Sequence, residues 1–344
     1  MSTPNAQSSE GRRRLRAVLV GAGSLGRGFL RRLRDRGGPI DLVGVLTAHH
    51  GRMIAKEGLE PSLAVNLVES EGLGSSAPDD FAQVLEAVSP DVVVECIPQN
   101  IRTGEPALSI LRSSLDAGVH VVTANKAPIV LGYRDLQHRG AKSRAQFRFE
   151  ATVLDGLPIF MLSSQLLDAQ IVRVRGVLNA TSSVVLETVQ NGRTRSRGLA
   201  RAQAQGIAEA DSVLDLDGWD AASKAALLAN VWMGGALRVV DVARKGTEEI
   251  KDDHLRAAAE EGLRYRLVAE IVKNDDGNIR ASVEPVALEP GDSLYPLRGG
   301  RGGITIETSL GHTYTWLQET HGIEDAAFGL LQDCRALLSG FPQV

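Results

Sequence analysis

The sequence predicts an α/β protein in which a domain built on a parallel sheet precedes a second, α+β domain. Three observations lead to this prediction. A glycine-rich turn joins an apolar strand to a helical segment near the start of the chain. Continuous apolar strands then alternate with helices, which is the pattern of a parallel sheet covered on both faces. Beyond residue 150, strands that alternate apolar and polar residues indicate an antiparallel sheet with one exposed face.

The first strand, A-V-L-V at residues 17–20, runs directly into G-A-G-S-L-G at 21–26. Gly21, Gly23 and Gly26 form a G-x-G-x-x-G pattern, with Ser24 and Leu25 before the last glycine. Such glycines allow a tight turn, close approach of backbone N–H groups to a pyrophosphate, and close packing of helix on strand. The motif is weak evidence alone, but the strand before it and the helix after it predict a Rossmann-type domain that binds NAD or NADP.

The second strand, D-L-V-G-V-L at 41–46, bears on the choice of cofactor. An acid at its end would bind the adenosine ribose hydroxyls of NAD, and none is present. The sequence T-A-H-H-G-R follows instead, so Arg52 or the histidines could meet the 2′-phosphate of NADP. The alternative is that these residues form an ordinary polar loop.

Further strands are predicted at 91–97 and 119–124, separated by a helix that ends at Gly118. The second of these strands delivers Asn125 and Lys126 at its carboxyl end, which is the edge where ligands bind in such sheets. From its position alone, Lys126 is equally a candidate functional residue or an ordinary surface lysine.

An acidic stretch, G-I-A-E-A-D-S-V-L-D-L-D-G-W-D, occupies residues 206–220 and contains five acids and no base. Clustered carboxylates raise one another's pKa unless solvent or a cation compensates, so the stretch is either solvated surface or faces a cationic ligand. Asp220 and Lys224 lie one helical turn apart at the head of the following helix. A carboxylate and an ammonium fixed together in this way form a plausible proton-handling pair.

Composition excludes several classes of function. A net charge of −4 gives no electrostatic case for binding nucleic acid. No apolar run reaches the roughly 18 residues that a membrane helix needs. The two cysteines, Cys96 and Cys334, lack metal-like spacing, so we expect a reduced, cytoplasmic protein.

Four blocks of the chain resemble homoserine dehydrogenases, the NAD(P)-dependent enzymes that interconvert homoserine and aspartate 4-semialdehyde. The blocks are V-G-A-G-S-L-G, D-V-V-V-E-C-I-P with V-V-T-A-N-K-A-P, F-E-A-T-V-L-D-G-L-P-I, and the acidic stretch through A-A-S-K. They span roughly residues 17–250. The A-N-K block and the acidic stretch are specific, whereas the glycine motif is not.

The resemblance implies roles for individual residues. Lys126 and Lys224 would transfer protons at the substrate hydroxyl, and Asp215 and Asp220 would organise the polar pocket. A lysine positioned by an acid suits this chemistry independently, because hydride transfer needs a proton removed from or supplied to the same oxygen.

Other residues would hold the substrate and cofactor. By the same resemblance, Glu209 would bind the α-ammonium of the substrate, Thr181 would lie beside the bound amino acid, and Asn125 would lie at the nicotinamide end of the cofactor. The turn E-A-T-V-L-D-G-L would bind a monovalent cation such as Na⁺ through the backbone carbonyls of Glu150, Val153, Asp155 and Leu157.

The resemblance also implies a domain organisation and a homodimer. We predict a disordered tail over 1–14, a dinucleotide-binding domain over 15–149, and a substrate-binding and dimerisation domain over 150–317. The helix at about 318–344 would return to complete the first domain. Threonine and methionine biosynthesis would be the expected context.

The chain departs from the family pattern at 154–155, at 180–184 and at 320–328. At the last of these, a small-residue turn is replaced by the stretch E-T-H-G-I-E-D-A-A-F, residues 319–328. These departures concern the substrate pocket more than the fold. Two alternatives therefore remain: an oxidoreductase of the same fold acting on another hydroxy or oxo amino acid, and a non-enzymatic nucleotide-sensing protein.

Overall fold

The computed structural model describes residues 13–166, 168–208 and 212–341. Most of the predicted N-terminal tail, the end of the C-terminal segment and Glu209 lie outside this range. Arg14, at the end of the predicted tail, donates a hydrogen bond from Nε to Asp41 Oδ1 at 2.7 Å.

The first sheet has six strands in the order β3-β2-β1-β4-β5-β6. Its strands are β1 (Leu15–Val20), β2 (Ile40–Leu46), β3 (Arg52–Ile54), β4 (Val92–Glu95), β5 (His120–Thr123) and β6 (Phe147–Arg148). All neighbouring pairs are parallel except β2 and β3, which are antiparallel. The predicted α/β class with a Rossmann-type parallel sheet is confirmed.

The second sheet also has six strands, in the order β12-β11-β7-β9-β10-β8. Its strands are β7 (Ile171–Val177), β8 (Ala243–Arg244), β9 (Arg264–Lys273), β10 (Ile279–Leu288), β11 (Gly302–Thr308) and β12 (Thr313–Gln318). Only β8 and β10 pair in parallel; the other neighbours are antiparallel.

Twelve helices are found in the described residues. They are α1 (Ser24–Arg36), α2 (Pro61–Asn66), α3 (Phe81–Val88), α4 (Ala107–Asp116), α5 (Lys126–Ser143), α6 (Ile159–Ser163), α7 (Ala180–Gln190), α8 (Arg195–Ala204), α9 (Val213–Leu216), α10 (Trp219–Trp232), α11 (Asp252–Glu260) and α12 (Ile323–Ser339). A π-helical stretch, Leu67–Glu71, follows α2, and short 3₁₀ segments such as Glu150–Thr152 connect other elements.

Burial explains why the strands of the first sheet are continuously apolar. Leu19 of β1 packs in a core with Phe29 of α1, whereas Val18 packs in a separate core on the other face with Val84 of α3. Alternate residues of one strand therefore face two different helical layers. Leu330 of α12 belongs to the same core as Phe29, so the last helix packs on the first sheet.

The second sheet buries one face and exposes the other, as its alternating sequence predicts. Val174 of β7 is fully buried in the core that includes α10. Its neighbour Arg173 lies on the opposite face and forms ion pairs with Glu270 at 2.6 Å and Glu307 at 3.0 Å.

One segment differs from the sequence prediction. The glycine-rich tract R-G-G-R-G-G at 298–303 predicts a loop; residues 298–301 lie in one, but β11 begins at Gly302 and pairs with β7 and β12. A Cβ on Gly302 would lie 2.6 Å from Leu154, and one on Gly303 would lie 2.7 Å from Leu317. These two glycines therefore permit close approach within a sheet rather than a flexible loop.

Candidate active site

A cavity of about 820 Å³ lies where the two sheets meet. On one side it is lined by the glycine turn and by the residues that follow β4 and β5; on the other, by the start of α7 and by α10. The segment before α12 closes a further side. The carboxyl ends of parallel strands are the usual ligand-binding edge of such a sheet, so the cavity is the candidate active site.

The glycine turn at this edge leaves open space in front of α1. Gly21 has φ +97°, and a Cβ there would lie 2.7 Å from the Cys96 backbone. A Cβ on Gly26 would lie 2.1 Å from the Gly21 carbonyl oxygen, whereas one on Gly23 would meet nothing within 4 Å. Gly23 caps α1 without a side-chain hydrogen bond. The first backbone N–H groups of a helix have no partner within the helix, so the open space in front of α1 fits a pyrophosphate.

No carboxylate is found at the end of β2. The cationic side chains near this strand end already contact other residues. Arg52 begins β3 rather than lying in a loop, and its Nη1 lies 3.1 Å from Asp79 Oδ1. Arg27 Nη2 lies 3.5 Å from His50 Nε2. None of these side chains lines the large cavity, so the structure does not bring Arg52 together with the other predicted residues.

A buried polar cluster fixes Asn125 at the end of β5. Glu95 is fully buried at the end of β4, and it accepts hydrogen bonds from Thr123 Oγ1 at 2.5 Å and from the Ile97 N–H at 2.8 Å. Asn125 Nδ2 lies 3.5 Å from Glu95 Oε1, and Asn125 Oδ1 accepts from the Ala127 N–H. Burial raises the pKa of Glu95 to about 7, so this carboxyl group titrates near neutral pH. The sequence predicts Glu95 only as a residue of a strand, with no role in the site.

The centre of the cavity is a carboxylate between two ammonium groups. Asp220 Oδ2 lies 2.8 Å from Lys224 Nζ, and Asp220 Oδ1 lies 3.4 Å from Lys126 Nζ. Lys126 begins α5 in the first domain, whereas Asp220 and Lys224 lie on successive turns of α10. The three side chains are only 16–18% exposed. The contact therefore joins the cofactor side of the cavity to the opposite wall.

Hydrogen bonds from α7 and its cap hold this centre in place. Asn179 donates from Nδ2 to both Asp215 Oδ1 at 2.8 Å and Asp220 Oδ2 at 3.0 Å. Thr181 Oγ1 donates to Asp215 Oδ2 at 2.9 Å, and Lys224 Nζ donates to the Leu178 carbonyl at 2.6 Å. Lys126, Asn179, Thr181, Asp215, Asp220 and Lys224 are called the Asp220 network below. Asn179 was not singled out by sequence analysis, because a helix-capping asparagine is unremarkable in a sequence.

Electrostatics fix the charge state of the network. Burial alone would raise the pKa of Asp220, but the ammonium groups of Lys224 and Lys126 outweigh it and hold this pKa well below its usual range. Burial would likewise lower the pKa of Lys224, but the Asp220 carboxylate raises it above the usual value. Burial and the nearby Asp220 raise the pKa of Asp215. At neutral pH the network therefore presents a protonated lysine that can donate a proton.

The turn after β6 is held by its own side chains. Glu150 accepts hydrogen bonds from the Phe160 N–H at 3.1 Å and the Met161 N–H at 2.6 Å. Asp155 has φ +51°, and its Oδ2 accepts from the Gly322 N–H at 2.9 Å. The turn therefore fixes the segment that leads into α12.

That segment, residues 319–325, is called the C-terminal turn below. His321 lines the cavity, and its Nδ1 is buried with no hydrogen-bond partner among the described residues. Ile323 also lines the cavity, and its side chain occupies space left by Gly28 of α1, where a Cβ would lie 2.6 Å away. The altered turn is visible in the sequence, but no role is predicted for His321, because an isolated histidine forms no recognisable pattern.

Comparison with known proteins agrees with this arrangement. The family description "Homoserine dehydrogenase, NAD binding domain" matches residues 21–150, and "Homoserine dehydrogenase" matches residues 158–334. An NAD(+)-dependent homoserine dehydrogenase of Pseudomonas canavaninivorans is 31% identical over 92% of this chain and 94% of its own length. A homoserine dehydrogenase of Methanocaldococcus jannaschii is 32% identical over 92% of this chain and 96% of its own length.

Solved structures show the same fold. A putative homoserine dehydrogenase of Archaeoglobus fulgidus superposes with a TM-score of 0.80 at 25% identity, covering 95% of this chain and 99% of that one. A hyperthermophilic archaeal homoserine dehydrogenase in complex with NADPH superposes with a TM-score of 0.78 at 27% identity, covering 96% and 99%.

The glycine turn, the cavity and the lysine–carboxylate centre define an NAD(P)-dependent oxidoreductase that acts on a CH–OH group. Both matched regions and relatives of nearly equal length point to one family within that class. The chain belongs to the homoserine dehydrogenase family.

Proposed function

We propose that the chain interconverts L-homoserine and L-aspartate 4-semialdehyde at the Asp220 network, using NAD or NADP. The observation that carries this proposal is the position of Asp220 between Lys126 and Lys224, on the wall opposite the glycine turn. The bound nicotinamide cofactor would supply the hydride for reduction of the aldehyde, or accept it in the reverse direction.

Lys224 would donate a proton to the aldehyde oxygen as the aldehyde is reduced, and take it back in the oxidation. Its charged form is favoured by Asp220, so the proton is in place before reduction begins. Lys126 would orient and polarise the same oxygen from the cofactor side. Asp220 would hold both ammonium groups in the geometry that this transfer needs.

The remaining polar groups would bind the ends of the two ligands. Thr181 Oγ1 and Asp215 Oδ2 lie 2.9 Å apart in the cavity. Together with Glu209, these two residues would bind the α-ammonium of the substrate and orient its head group. Asn125, held by Glu95, would contact the nicotinamide end of the cofactor. Gly21, Gly23, Ser24, Leu25 and Gly26 would bind the pyrophosphate at the start of α1.

The test is a spectrophotometric assay of NAD(P)H formation with homoserine, a panel of small amino alcohols, and 4-hydroxybutyrate, which lacks the α-amino group. Homoserine should be oxidised with a higher kcat/KM than every other compound, and 4-hydroxybutyrate should lose at least about 10²-fold. Faster oxidation of a different amino alcohol would reassign the substrate. Equal rates with 4-hydroxybutyrate would remove the acids as ammonium ligands.

For the cofactor, we infer that NADP is accepted at least as well as NAD. Support comes from the lack of a carboxylate between β2 and β3, and from the nearby cations Arg27 and Arg52. A charge-assisted contact to a 2′-phosphate is stronger than a neutral hydrogen bond. A ratio of kcat/KM that favours NAD by more than about tenfold would contradict this proposal.

A monovalent cation at the turn of residues 150–157 has weaker support. Of the four proposed carbonyl ligands, that of Leu157 accepts the Ile159 N–H at 2.8 Å, and that of Asp155 faces Gly329 of α12. The residues therefore fit a cation only in part, and no catalytic step is assigned to one. Titration with NaCl at constant ionic strength tests the site, since an occupied site would give saturable activation.

We also infer a cytoplasmic homodimer that serves threonine and methionine synthesis. The exposed strand β12, with Tyr314 39% and Leu317 36% exposed, supports a partner at this sheet edge. In the described part of the chain, no helix is long and apolar enough to cross a membrane. Light scattering after gel filtration should give twice the mass of one chain, and a monomer would contradict the dimer.

A further inference from the structure

A second cavity lies at the end of the second sheet, away from the active site. It has a volume of about 230 Å³ and is lined by groups from α7, the end of α11, the start of β9 and the loop before β11. Arg264, Arg266, Arg298, Glu187 and Tyr295 are its charged and aromatic lining residues, and this space is called the arginine cavity below. It shares no lining residue with the active-site cavity.

The lining of the arginine cavity carries an excess of positive charge. Arg266 Nη2 lies 3.6 Å from Glu187 Oε2, and the same oxygen accepts a hydrogen bond from the Gly299 N–H. Arg264 and Arg298 form no ion pair with any described residue of the chain. One carboxylate therefore faces three guanidinium groups.

Arg266 is the most constrained of the three. Its side chain is 2% exposed, and it donates to the carbonyls of Tyr265 at 2.9 Å and Leu297 at 3.0 Å. Its Nε is buried without a partner among the described residues. Burial lowers the pKa of Arg266, and the nearby Arg264 lowers it further against the opposing effect of Glu187. Burying a guanidinium that is incompletely paired destabilises the folded state unless a negative charge compensates it.

The other two arginines are held in place before any ligand binds. Both donate to the Tyr295 carbonyl, Arg264 at 3.1 Å and Arg298 at 2.7 Å. Their guanidinium carbons lie 4.2 Å and 5.5 Å from the centre of the Tyr295 ring. A preorganised set of guanidinium groups loses little conformational freedom on binding an anion.

We infer that the arginine cavity binds a small anion that carries a phosphate or carboxylate group. The planar guanidinium fork matches both groups, and the bound charge would offset the excess in the lining. A volume of about 230 Å³ admits a phosphate ion or a short dicarboxylate and is too small for a dinucleotide. A bound anion would also contact both α7, whose Thr181 belongs to the Asp220 network, and the loop that leads into β11.

The experiment is isothermal titration of the full chain with inorganic phosphate and, separately, with succinate. Arg298→Gln should raise the Kd of the anion at this site at least about tenfold, because it removes one of the three guanidinium groups. Arg298 does not depend on burial for its position, so the substitution should leave the fold intact. Arg256→Gln is the matched control, since Arg256 lies on α11 but is not among the residues that line the cavity, and it pairs with Asp253 at 2.8 Å. Its Kd should equal that of the wild type.

Glu187→Gln should change the Kd in the opposite direction. It therefore distinguishes an effect on anion binding from a general loss of structure. It removes the competing carboxylate while keeping a hydrogen-bond acceptor for Gly299, so affinity should rise at least about threefold. The phosphate-to-succinate ratio then identifies which anionic group the cavity prefers. An absence of saturable binding, an unchanged Kd in Arg298→Gln, or a weaker Kd in a folded Glu187→Gln would each overturn the inference.

Discussion

The Asp220 network and the C-terminal turn line the same cavity but differ in how completely their polar groups are paired. In the network, Asp220 contacts both ammonium groups and accepts a further hydrogen bond from Asn179. In the turn, His321 Nδ1 has no partner among the described residues. The network is therefore fixed by its own charges, whereas the turn retains an unsatisfied group that a ligand can use. We expect the network to control the chemical step and the turn to control how the substrate is held.

The largest expected effect concerns the proton donor of the network. Lys224→Ala should lower kcat about 10²-fold or more, which is the usual loss when a general acid–base group is removed. Cofactor affinity, measured by fluorescence titration, should stay within about twofold. Lys245→Ala is the control, because Lys245 is exposed and pairs with Glu284 at the surface, away from the cavity. A change in KM without a change in kcat would make Lys224 a binding residue.

The next effect tests the other side of the comparison. We expect the unpaired His321 ring to hydrogen-bond a charged head group of the substrate, a contact that contributes about 1.5 kcal/mol or more. His321→Ala should therefore lower kcat/KM for homoserine about tenfold. His321→Asn keeps a donor and should recover part of the loss. Ile323→Ala in the same turn should stay within about twofold. Equal activity of wild type and His321→Ala would show that the turn is only a wall of the cavity.

The Asp220 network was more predictable from the sequence than the C-terminal turn. Asp220 and Lys224 are four residues apart on a helix, so their contact was predictable from spacing. The contact between Lys126 and Asp220 crosses between the two sheets and has no local signal. His321 is a single residue in a turn that departs from the family pattern, and only the folded cavity reveals it.

The first sheet was also more predictable from the sequence than the second. Strands β1, β2, β4 and β5 contain the apolar runs that predict them, and their positions in the structure agree with the sequence prediction within a few residues, whereas the short strands β3 and β6 were not predicted. Strands β11 and β12 were missed because glycines open the first and exposed polar residues fill much of the second. Their pairing depends on contacts with β7 that lie far away in sequence.

A smaller effect concerns pH. Because Glu95 has a pKa of about 7, it is protonated below that pH and ionised above it. In the proposed arrangement Asn125 contacts the nicotinamide end of the cofactor, so the ionised form of Glu95 beside Asn125 would favour the positively charged ring of the oxidised cofactor. The Kd for oxidised cofactor should therefore fall a few-fold between pH 6 and pH 8, and the Kd for reduced cofactor should not.

Glu95→Gln should abolish this pH dependence while the fold is kept. The groups that face Glu95 are the Thr123 hydroxyl, the Asn125 amide, the Ile97 N–H and the Cys96 thiol, whose pKa is raised by burial and by Glu95. The thiol is therefore neutral across this range. A pH dependence that persists in Glu95→Gln would assign it to another group.

The smallest effect concerns Arg52, which the structure pairs with the fully exposed Asp79. Exposed ion pairs contribute little, so the pair can open to admit a 2′-phosphate. Arg52→Ala should lower the NADP-to-NAD ratio of kcat/KM about threefold, and Asp79→Asn should raise it. An unchanged ratio in both variants would remove Arg52 from the cofactor site.

The central claim is that one carboxylate, Asp220, holds both lysines at the reacting centre. The most direct test is the single-turnover rate of aldehyde reduction in Asp220→Asn, measured from the decay of NAD(P)H absorbance with enzyme in excess. The amide keeps the size of the side chain but removes the charge that positions Lys126 and Lys224. We predict a loss of about 10²-fold or more with cofactor affinity unchanged. A single-turnover rate within about threefold of the wild type would contradict the account.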